Sequence, residues 1–533
     1  MAIDWKAALA QGVWQAGNLP SWGRFSHVLQ NPREIQQKKL SEYIRRNAGT
    51  KFGKLHRFDA IQTYEDFVRQ VPLCDYSHLE PWIERISAGE ENVLCCDRVH
   101  RLVPTSGTRS GRKLIPYTEK LLEEFQAGIA PWLFDLHLGE PGLWGGRAYW
   151  LLTPMLGKEE GKTGTLPVGF GDDTEYLSAL GKWLAGAVVA RPAGMDSIAT
   201  WENFRRIWWL GMLRHEELRL ISIWHPSLLL LLLEGLEGEW DSLIKELRFG
   251  GGLPFHRPMP ARASTLEKTG PGRPDQFWPR LRIISCWNDA GAAPGAAALQ
   301  DLFPKVGIQG KGLLATEGLV TIPFAGRHVL SVRSHFFEFI DPSGRVFRAD
   351  ELVDGGEYEV VLTTGGGLWR YRLGDRVSVR GYAGKTPCFR FIGRTGSSCD
   401  LTGEKLHESF VSELLQQLFI NHPDKPSFMM LAPDEDQTRP GYVLFIESNS
   451  LPACLQAQLD KGLCQNPHYA LSRGLGQLQP VKIIKIHGNG SEAYLARLGR
   501  QGVRAGQIKF SCLSAQAGWM ATFSGEPPAG LPN

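Results

Sequence analysis

The chain has 533 residues, and its 59 Lys and Arg nearly balance its 56 Asp and Glu, leaving a formal charge of +3 with the histidines neutral. That balance lacks the concentrated basic face that binding to nucleic acid requires, so no nucleic-acid partner is expected. A chain of this length exceeds the size at which one hydrophobic core stops growing, and two domains are expected.

Met1 to Gln30 mixes Asp4, Lys6, Gln11 and Gln15 among its apolar residues and so lacks the continuous apolar stretch of a secretory signal. Leu40, Tyr43 and Ile44 fall at helical spacing, and Thr63 with Asp66 three residues later is a capping pattern for a further helix. Thr118 reads as an N-cap before Leu121, Leu122, Phe125 and Ile129, which share one helical face; Arg147 to Thr153 reads as a buried strand. Gly157 to Thr165 and Ser264 to Pro279 read as irregular surface excursions. Between them the apolar run Leu228 to Leu233 ends at Glu234, far short of the roughly 20 residues that span a bilayer. It reads as a buried helix, and no membrane partner is expected.

Further on come a strand at Leu281 to Cys286, an alanine-rich helix from about Pro294, and short strands at Val329 to Ile340 and Glu357 to Thr363, separated by an Asp341 to Gly344 turn. From Leu368 the pattern is dense with strands, at Leu368 to Leu373, Arg376 to Arg380 and Cys388 to Ile392. Past Gly393 a helix carrying Phe410, Val411, Leu414, Leu415 and Leu418 precedes strands at Phe428 to Leu431 and Tyr442 to Glu447 and a helical stretch at Leu451 to Leu463. A domain boundary is therefore expected near Asp400, giving a large unit over residues 1–399 and a small α+β unit over residues 400–533. The tail Gly525 to Asn533 reads as disordered, and no repeat is evident. The nine cysteines are scattered, with no Cys-x-x-Cys or His-x-x-x-His spacing; they read as reduced thiols in a cytoplasmic protein, not as a zinc site.

Three segments could carry chemistry. Thr105-Ser-Gly-Thr-Arg-Ser-Gly-Arg-Lys113 lies between two apolar stretches, and its glycines, hydroxyls and Lys113 suit a polyphosphate. It is not a Walker loop, because the order after Gly107 is Thr-Arg-Ser-Gly-Arg-Lys-Leu. Leu313-Leu-Ala-Thr-Glu317 places a carboxylate at the end of an apolar strand, where it could hold magnesium. Trp369-Arg-Tyr-Arg-Leu-Gly-Asp375 offers Asp375, after a glycine turn, as acceptor for a ribose diol; Arg394, after Gly393, and Lys405, in Asp400 to Lys405, can reach a phosphate from a hinge. Each has a plain structural alternative: a Ser/Gly turn, a glutamate reaching solvent, and Arg370, Arg372 and Arg376 on a solvated strand face.

In this order the segments resemble the adenylate-forming superfamily. More closely, the chain resembles the auxin-responsive acyl acid amido synthetases, through Val71 to Tyr76, Ile83 to Glu90, the Thr105 to Lys113 loop, Gly169-Phe170 with Glu175 to Leu177, Cys286-Trp287, Gly312 to Gly318, Tyr371 to Asp375, Gly403 to Lys405, Leu475 to Leu478 and Gly506 to Lys509. The resemblance implies an α/β fold: a large domain of sheets flanked by helices, with a β-barrel-like part, and a small mobile C-terminal domain.

It further implies that Thr105, Ser106, Gly107 and Thr108 hold phosphate, that Thr316 and Glu317 face AMP and Mg2+, that Asp375 takes the ribose hydroxyls and that Phe391 packs near the nucleoside. Lys405 and Lys509 would be mobile catalytic cations. The implied activity is ATP-dependent activation of a small carboxylic acid and transfer of the acyl group to an amino acid, by a monomer. A coenzyme A ligase sharing the first half-reaction, and a silent nucleotide-binding relative, are the alternatives. Two departures stand out: Leu313 occupies a position that is often aromatic, and Arg109-Ser110 replaces a smaller residue and a glycine. The acyl pocket is expected from Leu121 to Met155 and Val332 to Phe337.

Overall fold

The structure, a computed structural model, describes residues 4–105, 113–150, 162–169, 179–190, 201–250, 257–395, 398–434, 440–500 and 510–523. Two helices open the chain, Trp5–Val28, capped by Asp4, and Pro32–Asn47, which starts on a proline whose missing N–H costs nothing at that position. The second buries Leu40, Tyr43 and Ile44. Thr63 and Asp66 form a reciprocal capping box on Tyr64–Gln70, and the Thr118 hydroxyl accepts from Leu121 N at the start of Glu119–Gly139, both as the sequence predicts.

Three sheets organise the rest. The strands Arg147–Trp150, Leu218–Ser222, Ile283–Cys286 and Gly307–Gly310 form a parallel sheet in that order. Helices connect them, among them Trp201–Leu213, Pro226–Leu233 and Ala293–Leu302. The leucine run is indeed a buried helix, with Leu228, Leu229, Leu231 and Leu232 inside, each contributing about 1.5–3 kcal/mol through burial. The second sheet has seven antiparallel strands, in the order Thr321–Phe324, Arg327–Leu330, Thr386–Arg394, Tyr371–Ala383, Glu357–Thr363, Phe336–Ile340, Val346–Arg348. This is the barrel-like part, and its apolar faces pack into the main core with Phe336, Phe339 and Val377.

The third sheet, Phe428–Pro433, Tyr442–Glu447 and Lys482–Lys485, is packed on both faces of its first two strands. Alternation splits its residues: Leu431, Leu444 and Ile446 meet the helices Glu408–Phe419 and Leu455–Leu463, while Met430, Val443 and Phe445 meet Gly490–Arg500 and Trp519. Leu231 of the leucine helix joins that second group, and Asn489 Nδ2 donates to Glu234 Oε2 at 2.9 Å, so the C-terminal part rests on the end of this helix.

Some expectations fail in detail. Ser264 to Pro279 is not one irregular stretch: Pro260–Thr269 is helical, opened by Pro260 and closed by Gly270 at φ 75°, and Pro274–Phe277 makes a further turn. Within Gly157 to Thr165, Lys162–Thr163 pairs with Leu166–Pro167 as a small hairpin; residues 157–161 lie outside the described residues. The segment Val329 to Ile340 is parts of two strands that are not sheet neighbours. The strand near Leu368 starts only at Tyr371, because Gly367 and Arg370 both have positive φ. The tail from Gly525 lies outside the described residues. All nine cysteines are free, and among the described residues no helix is long and apolar enough to cross a membrane.

Candidate active site

The strands Val99–Pro104 and Leu114–Thr118 pair antiparallel, with Pro104 opposite Leu114, and Thr105 N donates to Lys113 O at 2.9 Å. The two apolar stretches that flank the loop are therefore paired strands, while Ser106, Gly107 and Thr108 lie outside the described residues. Lys113 stands with its ammonium 5.7 Å from the centre of the Tyr76 ring, and the Tyr76 hydroxyl accepts from Leu114 N at 2.8 Å.

Glu317 does not end a long strand. Leu314–Ala315 and Gly318–Leu319 form a two-residue hairpin with Thr316 and Glu317 in its turn. Core groups clamp the hairpin: Tyr117 donates from its hydroxyl to Thr316 O at 2.6 Å, and Leu319 N donates to His335 Nε2 at 3.0 Å. Gly318 has no room for a side chain, since a Cβ there would lie 2.9 Å from His335 Nε2. Because Nε2 accepts, the His335 proton sits on Nδ1, which faces Glu124 Oε2 at 2.9 Å. Glu124 also accepts from the Tyr43 hydroxyl at 2.5 Å and from Gly365 N at 2.9 Å.

The second element is the strand Tyr371–Ala383. Asp375 is not in a turn; it follows Gly374, whose φ of 79° re-aims the chain inside the strand, and it lies directly opposite Arg394 on Thr386–Arg394. Asp375 is 1 % exposed, with Oδ1 at 2.7 Å from Arg394 Nε, yet that oxygen has no aligned hydrogen bond. Glu317 is 4 % exposed, and burial pushes its carboxyl above the usual range; Arg394 opposes this, Asp375 adds to it and Lys113 opposes it. The Asp375 charge, and less strongly that of Glu317, hold the Arg394 guanidinium firmly protonated. Tyr371 completes the group: burial raises its phenol far above the ordinary value, Glu317 and Asp375 push it further, and Arg394 and Tyr76 act on it too.

The structure thus brings together Lys113, Glu317, Asp375 and Arg394 from three distant segments, and adds Tyr76 and Tyr371. Sequence reasoning did not single out these tyrosines, although both stand in stretches that carry the resemblance. Glu317 and Asp375 are oxygen donors, and among the described residues no three His, Cys, Asp or Glu side chains are arranged to hold a metal ion. A carboxylate such as Glu317 suits magnesium, which takes its remaining ligands from water and phosphate. The Asp375 carboxylate, held against Arg394, and the desolvated Glu317 carboxyl fit a hydroxyl-bearing, metal-accompanied nucleotide.

Other expected residues stand apart. Lys405 is exposed at φ 44°, its charge felt by His407 and absent from the main influences on Glu317; Glu404 beside it turns inward, accepting from Leu401 N and Thr402 N, each at 2.7 Å, and from the Tyr442 hydroxyl. Lys509 lies outside the described residues; Phe510 next to it packs against His225. Phe391 is half-buried and its N–H donates to Asp289 Oδ2 at 3.2 Å. Leu313 is buried in the main core and donates to Thr321 Oγ1 at 2.7 Å. The solvated-face reading fails for Arg370, which is buried in a bidentate pair with Glu338; Arg372 and Arg376 are more accessible and pair with Glu359 and Glu357.

Three family models match in succession: the GH3 family N-terminal domain over residues 22–308, the central domain over 328–394 and the C-terminal domain over 408–517. The chain belongs to the GH3 family. Among GH3 relatives, it is 25% identical over 437 residues to the indole-3-acetic acid-amido synthetase GH3.2 of Arabidopsis thaliana, covering 73% of this chain and 79% of that one. It is 24% identical over 422 residues to the jasmonoyl-L-amino acid synthetase JAR6 of Nicotiana attenuata, covering 70% of each. The fold matches that of the GH3.15 acyl acid amido synthetase with a TM-score of 0.82 at 19% identity, over 95% of this chain and 96% of the other. The acyl acid amido synthetase resemblance read from the sequence is therefore to the family the chain belongs to.

Proposed function

We propose that this GH3 protein uses ATP to activate a small carboxylic acid as an acyl adenylate and passes the acyl group to the amine of an amino acid. The observation that carries the reading is the convergence of Glu317, Asp375 and Arg394 from distant segments, with both carboxyls buried, Arg394 paired with Asp375 at 2.7 Å and the Lys113 charge acting on Glu317. Family membership and the names of the relatives support it.

A carboxylate resists nucleophiles and has no leaving group, and both defects are removed by linking it to AMP. One carboxylate oxygen attacks the α-phosphorus of ATP, and pyrophosphate departs with the bonding pair. Asp375 accepts from the ribose hydroxyls, Lys113 and Arg394 offset phosphate charge, and Glu317 is the residue that would hold magnesium, which when bound neutralises the polyphosphate. The amine then attacks the acyl carbon, loses a proton, and AMP leaves. In this reading residues 400–533 are a mobile unit that carries Lys405 and Lys509 to the nucleotide by rotating about Gly393 to Asp400.

Mass spectrometry of products from acid, ATP and Mg2+ with either amino acids or coenzyme A tests the assignment. An N-acyl amino acid with AMP is expected; a thioester would make the protein a coenzyme A ligase, and no AMP with any acid would leave a silent relative.

A further inference from the structure

The four parallel strands end on one edge, and in an open parallel sheet that edge is where ligands bind. A cavity of about 90 Å3 lies there. Its walls are apolar, chiefly Trp132, Trp150, Trp224, Leu220 and Leu314. Leu314 opens the hairpin whose turn holds Glu317, so the cavity adjoins the proposed nucleotide site. One wall residue is charged: Lys311, directly after the last strand, is 5 % exposed and lines the cavity with Ser222 and Ser285.

Lys311 is fixed from several sides. Its ammonium donates to Ser222 Oγ at 2.6 Å and lies 5.2 Å from the ring centres of both Trp132 and Trp224, a bracket that favours a cation. Trp132 is itself anchored by donating from Nε1 to Gln309 Oε1 at 3.2 Å, and Ser285 Oγ donates to the same oxygen at 3.2 Å. An ammonium held at a cavity wall by a hydroxyl and two aromatic faces can donate a charge-assisted hydrogen bond to an electron-rich oxygen of a ligand.

The main charges acting on Glu317 are Arg394, Asp375 and Lys113, so the reacting carboxylate belongs on that side. Resting on the acid-activation reading, we infer that Lys311, with Ser222, selects acids with a cyclic, apolar body and a second oxygen function, carboxylate or hydroxyl, at the end away from the carboxyl being activated. Lys311 is then a specificity residue for the acid, and the tryptophans take the ring.

The three tryptophans in the wall make binding visible without turnover. Full-length protein is titrated with phenylacetate, 4-hydroxyphenylacetate and 4-carboxyphenylacetate, following tryptophan fluorescence, with pyrophosphate release measured in parallel. The substituted acids are expected to bind about tenfold tighter or more, a preference reduced to about threefold or less in Lys311→Met while phenylacetate binds as well or better. Ser222→Ala, a smaller perturbation, is expected to shrink the preference part-way. Equal affinities in the unaltered protein, or a uniform loss across all three acids in the variants, would overturn the inference. Discrimination in binding without pyrophosphate release from any acid would instead sink the activation reading and leave the Lys311 selection standing.

Discussion

Two glutamates, both nearly inaccessible, meet opposite fates in this molecule. Glu124 is surrounded by donors: burial, the largest single influence, pushes its carboxyl up, and His335, Lys39 and Tyr43 together outweigh it and hold it below the usual range. Around Glu317 the Arg394 charge, its own backbone N–H and Lys113 oppose burial, and burial wins. We read the donor-filled Glu124 as a strut and propose Glu317, beside the Asp375–Arg394 pair, as the place for a ligand. The two are linked, since His335 bonds Glu124 on one side and the backbone of the Glu317 hairpin on the other.

The comparison is broken most easily at Glu317 and Asp375. Glu317→Ala and Asp375→Asn are expected to cut acid-dependent pyrophosphate release about 100- to 1,000-fold, roughly 3–4 kcal/mol of barrier, while the melting temperature holds or rises. A large loss of stability in either variant would make these residues struts too. Glu124→Ala is the converse: it orphans the Tyr43 hydroxyl, His335 Nδ1 and Gly365 N, and a loss of about 3–5 kcal/mol is expected in urea unfolding.

Lys405→Ala sharpens the contrast from outside the core. Its side chain is exposed on a loop that Glu404 holds from within, so turnover is expected to fall about tenfold with the urea midpoint unchanged. The smallest effect concerns pH. Burial lowers the His335 pKa, so the folded state disfavours its protonation; His335 stabilises fully above the unfolded value of about 6.5, and that contribution is lost as pH falls from there through its depressed folded value. The melting temperature should decline below pH 6.5, with a shallower slope in His335→Gln.

Much of this was legible in the sequence where one residue type has one use. Thr63 with Asp66 and Thr118 announce helix starts, and Glu357–Thr363 and Tyr442–Glu447 match the sequence-based bounds to the residue, because turns or polar runs flank them on both sides. Proline and glycine misled between Ser264 and Pro279: at Pro260 and Gly270 they mark the two ends of a helix, and their density downstream hid it. Arg370 was misread because its φ of 44° breaks the strand alternation that would put it in solvent.

Of the candidate site, Glu317, Asp375 and Arg394 were named from motif order, but their meeting depends on long-range pairing that no local pattern records. Glu124, His335 and Lys311 carried no signal of their own. A charge or imidazole among apolar neighbours looks alike in sequence whether it is a strut, a selector or a surface group. The cavity proposed to take the acid draws on Ile129 to Trp150, within one of the two stretches expected for an acyl pocket, while Phe336 and Phe337 of the other belong to the main core.

The most direct test of the central claim is isotope exchange between pyrophosphate and ATP, measured with and without a panel of carboxylic acids, in the unaltered protein and in Asp375→Asn. The account predicts exchange that requires both an acid and Mg2+ and that all but vanishes in the variant at unchanged melting temperature. Exchange that ignores the acid, or that survives intact in the variant, would contradict it.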